Sequence, residues 1–187
     1  MPVTNLGEKE KQYLLETACE AILSRYEKRE AKARGDFVPP DLVEQRRGVM
    51  VSIYRNKRLC GQAGHILAKK NLYEDVINCT RQAITGASFP ELSSDQAKEL
   101  DVEISIFSQP KKFDYDLPLT LSEYLEKYRP GVILRKRSKQ AVLMPNAWKK
   151  FRFAEKFLGE LCQKAGLPPY EWTRGVIIET FREEKIT

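Results

Sequence analysis

Apolar positions along the chain switch between a helical and a two-residue period, and the switches outline its elements. Leu14, Ala18, Ala21, Ile22 and Arg25 share one helical face, behind Asn5 and Glu8 at capping-box spacing. The charged run Glu27 to Arg34 frays this helix, which ends at Gly35. Pro39-Pro40 then marks a loop, because a proline holds the residue before it extended. From Gly48 to Tyr54 the pattern changes: Val49, Val51 and Ile53 line one side of a strand. Arg55-Asn56-Lys57-Arg58 is a polar turn, so Leu59 onward is the hairpin partner. Leu59 to His65 falls at the end of that second strand, where glycines at 61 and 64 predict a bend out of the sheet.

Asn71 and Glu74 form a second capping box, followed by Tyr73, Val76, Ile77, Thr80 and Ile84 at helical spacing, with Gly86 as the stop. The stretch Ala87 to Ser94 reads as a loop pinned to the core by Phe89. Val102, Ile104 and Ile106 alternate with Glu103, Ser105 and Phe107, a strand whose Glu103 faces away from the aliphatics. Thr120 and Glu123 give a third capping box before a short helix ending near Tyr128. Val132 to Leu134 and Ala141 to Met144 read as a hairpin with a basic tip. Phe153, Phe157, Leu158, Leu161, Cys162 and Ala165 mark the last helix, stopped at Gly166. Trp172 packs on the core, and Val176 to Phe181 is a closing strand. Strands and helices are interspersed with hairpins, which predicts an α+β fold with a mostly antiparallel sheet flanked by helices. Residues 1–187 read as a single domain without a linker or internal repeat.

Composition narrows the class. At 42% hydrophobic and 31% charged residues, 187 residues are enough for a sizeable core. No apolar run reaches membrane-spanning length, and Met1 to Leu15 lacks the pattern of a secretion signal, so the expected compartment is the cytoplasm, with no membrane partner. Cys19, Cys60, Cys79 and Cys162 are scattered and there is one histidine, which argues against a zinc site or a disulfide framework; no metal and no cofactor are expected. The net charge of +6 is modest and spread along the chain, with clusters at Arg135 to Lys139 and Lys149-Lys150. Solvated surface is its simplest meaning.

Candidate chemistry concentrates in Leu59 to His65. An enzyme reading uses Cys60 as nucleophile and His65 as base, with Glu103 orienting or polarising; it needs a lowered thiol pKa. If Cys60 and His65 both lie in an extended strand, their odd separation puts them on opposite faces, unless the glycines turn the chain. A binding reading asks less. Backbone N–H groups at Gly61 and Gly64 hold an anion, and Gln62 and His65 supply hydrogen bonds. In the plainest reading the glycines shape a bend and His65 is a satisfied side chain. A third reading is an interaction module for RNA, since Trp148-Lys149-Lys150-Phe151-Arg152-Phe153 interleaves charge with aromatics.

The order of motifs resembles the AMMECR domain family, which includes protein A of the AmmeMemoRadiSam system. Gly48 to Ile53 is similar to that family's glycine-led strand, and Leu59 to His65 falls where it has L-R-G-C-I-G. Phe89-Pro90-Glu91-Leu92 with Leu100 to Ile106 resembles its R-F-x-x-L and L-x-I-E-V-S-V segments. Leu143-Met144-Pro145-Asn146 and Cys162 to Pro168 resemble its L-L-P-Q and C-x-K-A-G-L-P. The resemblance spans about residues 10–182. Several signature positions depart from it: the family's arginine is Cys60, its cysteine Gln62, its isoleucine Ala63 and the glutamine of P-Q is Asn146. Its D-P-R-F becomes Gly86-Ala87-Ser88-Phe89. The resemblance implies two unequal lobes, or subdomains, with a cleft between them. It also implies ligand or partner binding in a modification pathway with Memo-like and radical-SAM proteins, and supplies no reaction. On this reading the ligand-binding residues are Gly61, Gln62, Gly64, His65 and Asn146. The oligomeric state is left open.

Overall fold

Helix α1 (Glu8–Tyr26) forms where the apolar spacing places it, in a computed structural model that describes residues 6–27, 38–86 and 89–187. It buries Leu14, Ala18, Ala21 and Ile22. Arg25 is exposed, and Ser24 takes the buried place instead, its hydroxyl donating to the Ala21 carbonyl at 3.1 Å. Gly7 holds the N-cap position with no side-chain bond, while Asn5 and the expected stop at Gly35 lie outside the described residues. Pro39 is extended, as the following proline requires. Pro40 nevertheless opens a short helix, α2 (Pro40–Glu44), where a loop was expected; its fixed φ and missing N–H suit a first helical turn.

Strands β1 (Gly48–Arg55) and β2 (Arg58–His65) make the expected hairpin. Its two-residue turn, Asn56 (φ 51°) and Lys57 (φ 63°), has both residues left-handed, which matches the twist of the strands it joins. Val49, Val51 and Ile53 are fully buried. In α3 (Leu72–Ala83), Asn71 caps the helix by accepting from the Glu74 N–H at 2.8 Å. The buried stripe is Leu72, Asp75, Val76, Cys79, Thr80 and Ala83, rotated from the expected one, so Tyr73 and Ile77 are only half-buried. Ser93 and Gln96 form a complete capping box for α4 (Ser94–Lys98), which begins at the last residue of the loop expected from Ala87 to Ser94. Strand β3 (Asp101–Phe107) follows, with Ile104 and Ile106 at the core.

After the short β4 (Lys111–Lys112), α5 (Pro118–Tyr128) starts two residues before Thr120. Leu117 is its N-cap and Pro118 presets its first turn, so Thr120 is not a cap. The hairpin of β5 (Gly131–Lys136) and β6 (Lys139–Leu143) carries the basic tip. Helix α6 (Ala154–Lys164) buries Phe157, Leu158, Leu161 and Cys162, and ends at Gly166 (φ 69°). Trp172 is buried, followed by β7 (Ile177–Phe181), the expected closing strand, and by a further strand, β8 (Glu183–Ile186).

One expected sheet is in fact two, each of four strands, ordered β2-β1-β3-β8 and β4-β7-β5-β6. The pairings β1–β2, β1–β3, β4–β7, β5–β6 and β5–β7 are all antiparallel, so the fold is α+β. The sheets belong to separate units with separate cores, Met1–Gln109 with Glu184–Thr187, and Pro110–Glu183. No helix among the described residues is long and apolar enough to cross a membrane.

Candidate ligand-binding site

Leu59 to His65 is strand throughout. It pairs along β1 from Tyr54↔Leu59 to Val49↔His65, and neither glycine has a positive φ, so the expected bend and anion-holding turn are not formed. The glycines answer to crowding instead. A Cβ at Gly61 would lie 2.5 Å from the Ala83 carbonyl and 2.7 Å from the Phe89 ring, and one at Gly64 would lie 2.4 Å from the Met50 Cα. Phe89 is thus pinned over the strand, as its place in the sequence suggested.

Cys60 occupies a β-bulge, since Ile53 pairs with Gly61 and Tyr54 with Leu59. Its thiol donates to the Ile53 carbonyl at 3.2 Å and packs on the core beside α1. Burial pushes its pKa up, against the lowering influence of the Arg55 charge. His65 lies five residues on, about 16 Å away at the rise of a strand, with partners of its own. The two are not brought together. Gln62 faces the other side and donates to Ser52 Oγ at 2.8 Å.

His65 Nε2 is 2.9 Å from Asp75 Oδ2 on α3, and its Nδ1 is 3.8 Å from the Cys79 thiol. The carboxylate only accepts, so Nε2–H donates to it, and Nδ1 lies against the Cys79 sulfur. Asp75 also accepts from the backbone N–H groups of Lys69 (3.0 Å) and Lys70 (3.1 Å), tying the β2–α3 connection to the helix. Burial alone raises a carboxyl pKa, but here the His65 and backbone hydrogen bonds outweigh it and hold Asp75 below its ordinary value. Thiol, imidazole and carboxylate thus line up in the order used by cysteine hydrolases. The thiol is 1% exposed, and burial, assisted by the Asp75 charge, pushes it up to about 11. A nucleophile needs the reverse on both counts. In the sequence Asp75 and Cys79 are two positions four apart in a helix, and only tertiary packing turns them toward His65.

Glu103 is elsewhere in the same unit. It accepts from Lys185 Nζ at 2.6 Å and lines an open cavity of about 590 Å³. Leu15, Tyr54, Leu100 and Val102 give this cavity apolar walls; Lys57 and Asp101 add charge, and the exposed Cys19 sits in its lining. Asn146 is exposed on the 3₁₀ turn Pro145–Lys149, in the unit Pro110–Glu183. In that unit the basic hairpin tip is largely tied down: Arg135 to Glu179 (2.7 Å), Lys136 to Glu171 and to the Arg174 carbonyl, and Lys139 to the Gly166 carbonyl. Trp148 is not a stacking platform. Its ring lies flat on Phe157 (centroids 3.9 Å apart, 4° between planes) and its Nε1–H donates to the Pro130 carbonyl at 2.8 Å.

The family model for AMMECR1 matches residues 15–186. The chain belongs to the AMMECR1 family. Protein MK0488 of Methanopyrus kandleri is 31% identical over 176 residues, covering 89% of this chain and 84% of that protein. A protein of Methanothermobacter thermautotrophicus is 30% identical over 132 residues, 70% of this chain and 69% of its own length. Uncharacterized protein PH0010 from Pyrococcus horikoshii has a solved structure that shares the fold, with a TM-score of 0.76 at 24% identity, over 96% of this chain and 92% of that one. Within the AMMECR1 frame, the positions that depart from the signature are structurally distinct: Cys60 fills the bulge, Gln62 bonds across to β1, and Ala63 packs on the core. Of the residues that stand where the family has D-P-R, Ala87 and Ser88 lie outside the described residues.

Proposed function

We propose that this AMMECR1-family chain is a binding domain and not a cysteine enzyme, and that its ligand sits in the cavity bounded by α1, β1 and β3. The carrying observation is that cavity: about 590 Å³ falls in the range of small-molecule sites, and apolar walls with a few charged groups are their usual lining. Lys57, Asp101 and Glu103 favour a molecule with an apolar body and polar substituents of both signs. Against thiol catalysis stand the raised pKa values of Cys60 and Cys79 and the burial of Cys79. The association of the resembled family with Memo-like and radical-SAM proteins supports a ligand handled in a modification pathway, with such proteins as partners.

Two-dimensional NMR of the full chain against a library of small amphipathic acids and amines tests the reading. Binders are expected to shift the Leu15, Leu100 and Val102 amides, and Val102→Trp, which fills the cavity, is expected to abolish those shifts. Binders that shift only β2, or that bind Val102→Trp equally well, would move the site elsewhere.

A further inference from the structure

The charge of the chain is carried by one unit. Residues 110–183 hold 15 Lys and Arg against nine Asp and Glu, a net +6, whereas the remaining residues hold 17 of each. Part of that excess gathers where α5 ends and α6 begins. The Glu126 carboxylate accepts from the Ala154 N–H at 2.8 Å, joining the last turn of α5 to the first of α6. The Trp148 bond to Pro130 fixes the 3₁₀ turn Pro145–Lys149 to the same corner. Lys127, Arg129, Lys149, Lys150 and Arg152 are all exposed there. Two large rings are exposed with them, Tyr128 at 50% and Phe153 at 53%.

Each ring is set beside a cation, Lys127 Nζ 5.2 Å from the Tyr128 centroid and the Arg152 guanidinium 5.3 Å from that of Phe153. Tyr128 is backed by Tyr124, with centroids 4.9 Å apart, and Tyr124 by Phe113 at 4.3 Å, so the exposed ring rests on a packed ladder. Glu126 accepts from the Ala154 N–H and keeps its charge, and Glu155 is exposed at the start of α6, so the five cations of the corner outnumber these two carboxylates. Water-facing aromatic rings among exposed cations match the two demands of unpaired polynucleotide: phosphates for the charges and base faces for the rings. A duplex would satisfy only the first. An acidic protein surface would likewise leave the rings without a partner.

We propose that this corner of the unit Pro110–Glu183, from Lys127 to Arg129 and from Lys149 to Phe153, binds single-stranded nucleic acid. Fluorescence anisotropy with labelled 12-nucleotide oligouridylate and oligothymidylate tests it on the full chain. Binding is expected at low salt, with a log–log salt slope of about −2 to −3.5, from about 0.7 per engaged cation among five. Lys149→Ala with Arg152→Ala is expected to flatten that slope by about 1.4. Tyr128→Ala with Phe153→Ala is expected to weaken binding about tenfold or more at unchanged slope, through lost stacking. Arg137→Ala removes an exposed charge at the hairpin tip and is expected to leave binding unchanged; unaltered circular dichroism checks that every variant folds. Three results would each overturn the proposal: no binding at low salt, binding of duplex and heparin as tight as of single strands, or equal losses from Arg137→Ala and the corner variants.

Discussion

At the scale of single residues, the signature strand is explained by crowding and burial. Gly61→Ala drives a methyl into the Ala83 carbonyl and the Phe89 ring, so about 1–3 kcal/mol of stability is expected to be lost, read as a lower urea midpoint at unchanged m-value. Asp75 carries a pH signature. Its pKa is lowered on folding, so its contribution is complete above the unfolded value of about 3.9 and is lost as pH falls through the folded value. Cys79 works in the opposite sense: raised to about 11, it favours the fold below its unfolded pKa and loses that contribution as pH rises toward 11. Asp75→Asn is expected to cost about 1–3 kcal/mol at neutral pH and to flatten the acid limb of a urea-midpoint profile. An unaltered acid limb would show that folding does not lower the Asp75 pKa.

At the scale of elements, capping and packing decide the boundaries. Asn71→Ala is expected to cost about 1 kcal/mol by uncapping α3, and Phe157→Ala about 3–5 kcal/mol, since its ring is buried between Trp148 and Phe151; thermal denaturation reads both. Strands with clean alternation, β1 and β3, were legible in the sequence, as were the β1–β2 and β5–β6 hairpins and the buried Cys162. Short elements were not. In α4 and β8 there are too few residues for a period to show; α4 rests on the Ser93–Gln96 capping box and one buried residue, Ala97. One capping-box spacing also misled: Thr120 lies inside a helix that Pro118 starts. Spacing alone cannot say which polar residue sits at a helix end. The candidate site was half legible. Cys60, His65 and Glu103 each do something specific, but the bulge at Cys60 and the inward turn of Asp75 and Cys79 depend on cross-strand register and helix rotation, which local sequence leaves undetermined.

At the scale of the whole chain, the AMMECR1 family and the antiparallel α+β fold are shown, charge divides between two units, and the binding role proposed above rests on the cavity. The apolar-walled cavity lies in the neutral unit, and the basic, aromatic corner in the other. The thiols are the point at which this account is most exposed, because a cysteine enzyme would need one of them activated. Peptide-resolved alkylation by iodoacetamide at neutral pH, compared with the urea-unfolded chain, measures this directly. Cys19, exposed beside the cavity, is expected to react first, Cys60 more slowly than in the unfolded chain, and Cys79 and Cys162 only on unfolding. Folded Cys60 or Cys79 reacting faster than in the unfolded chain would contradict the binding account and restore a nucleophile to the centre of the fold.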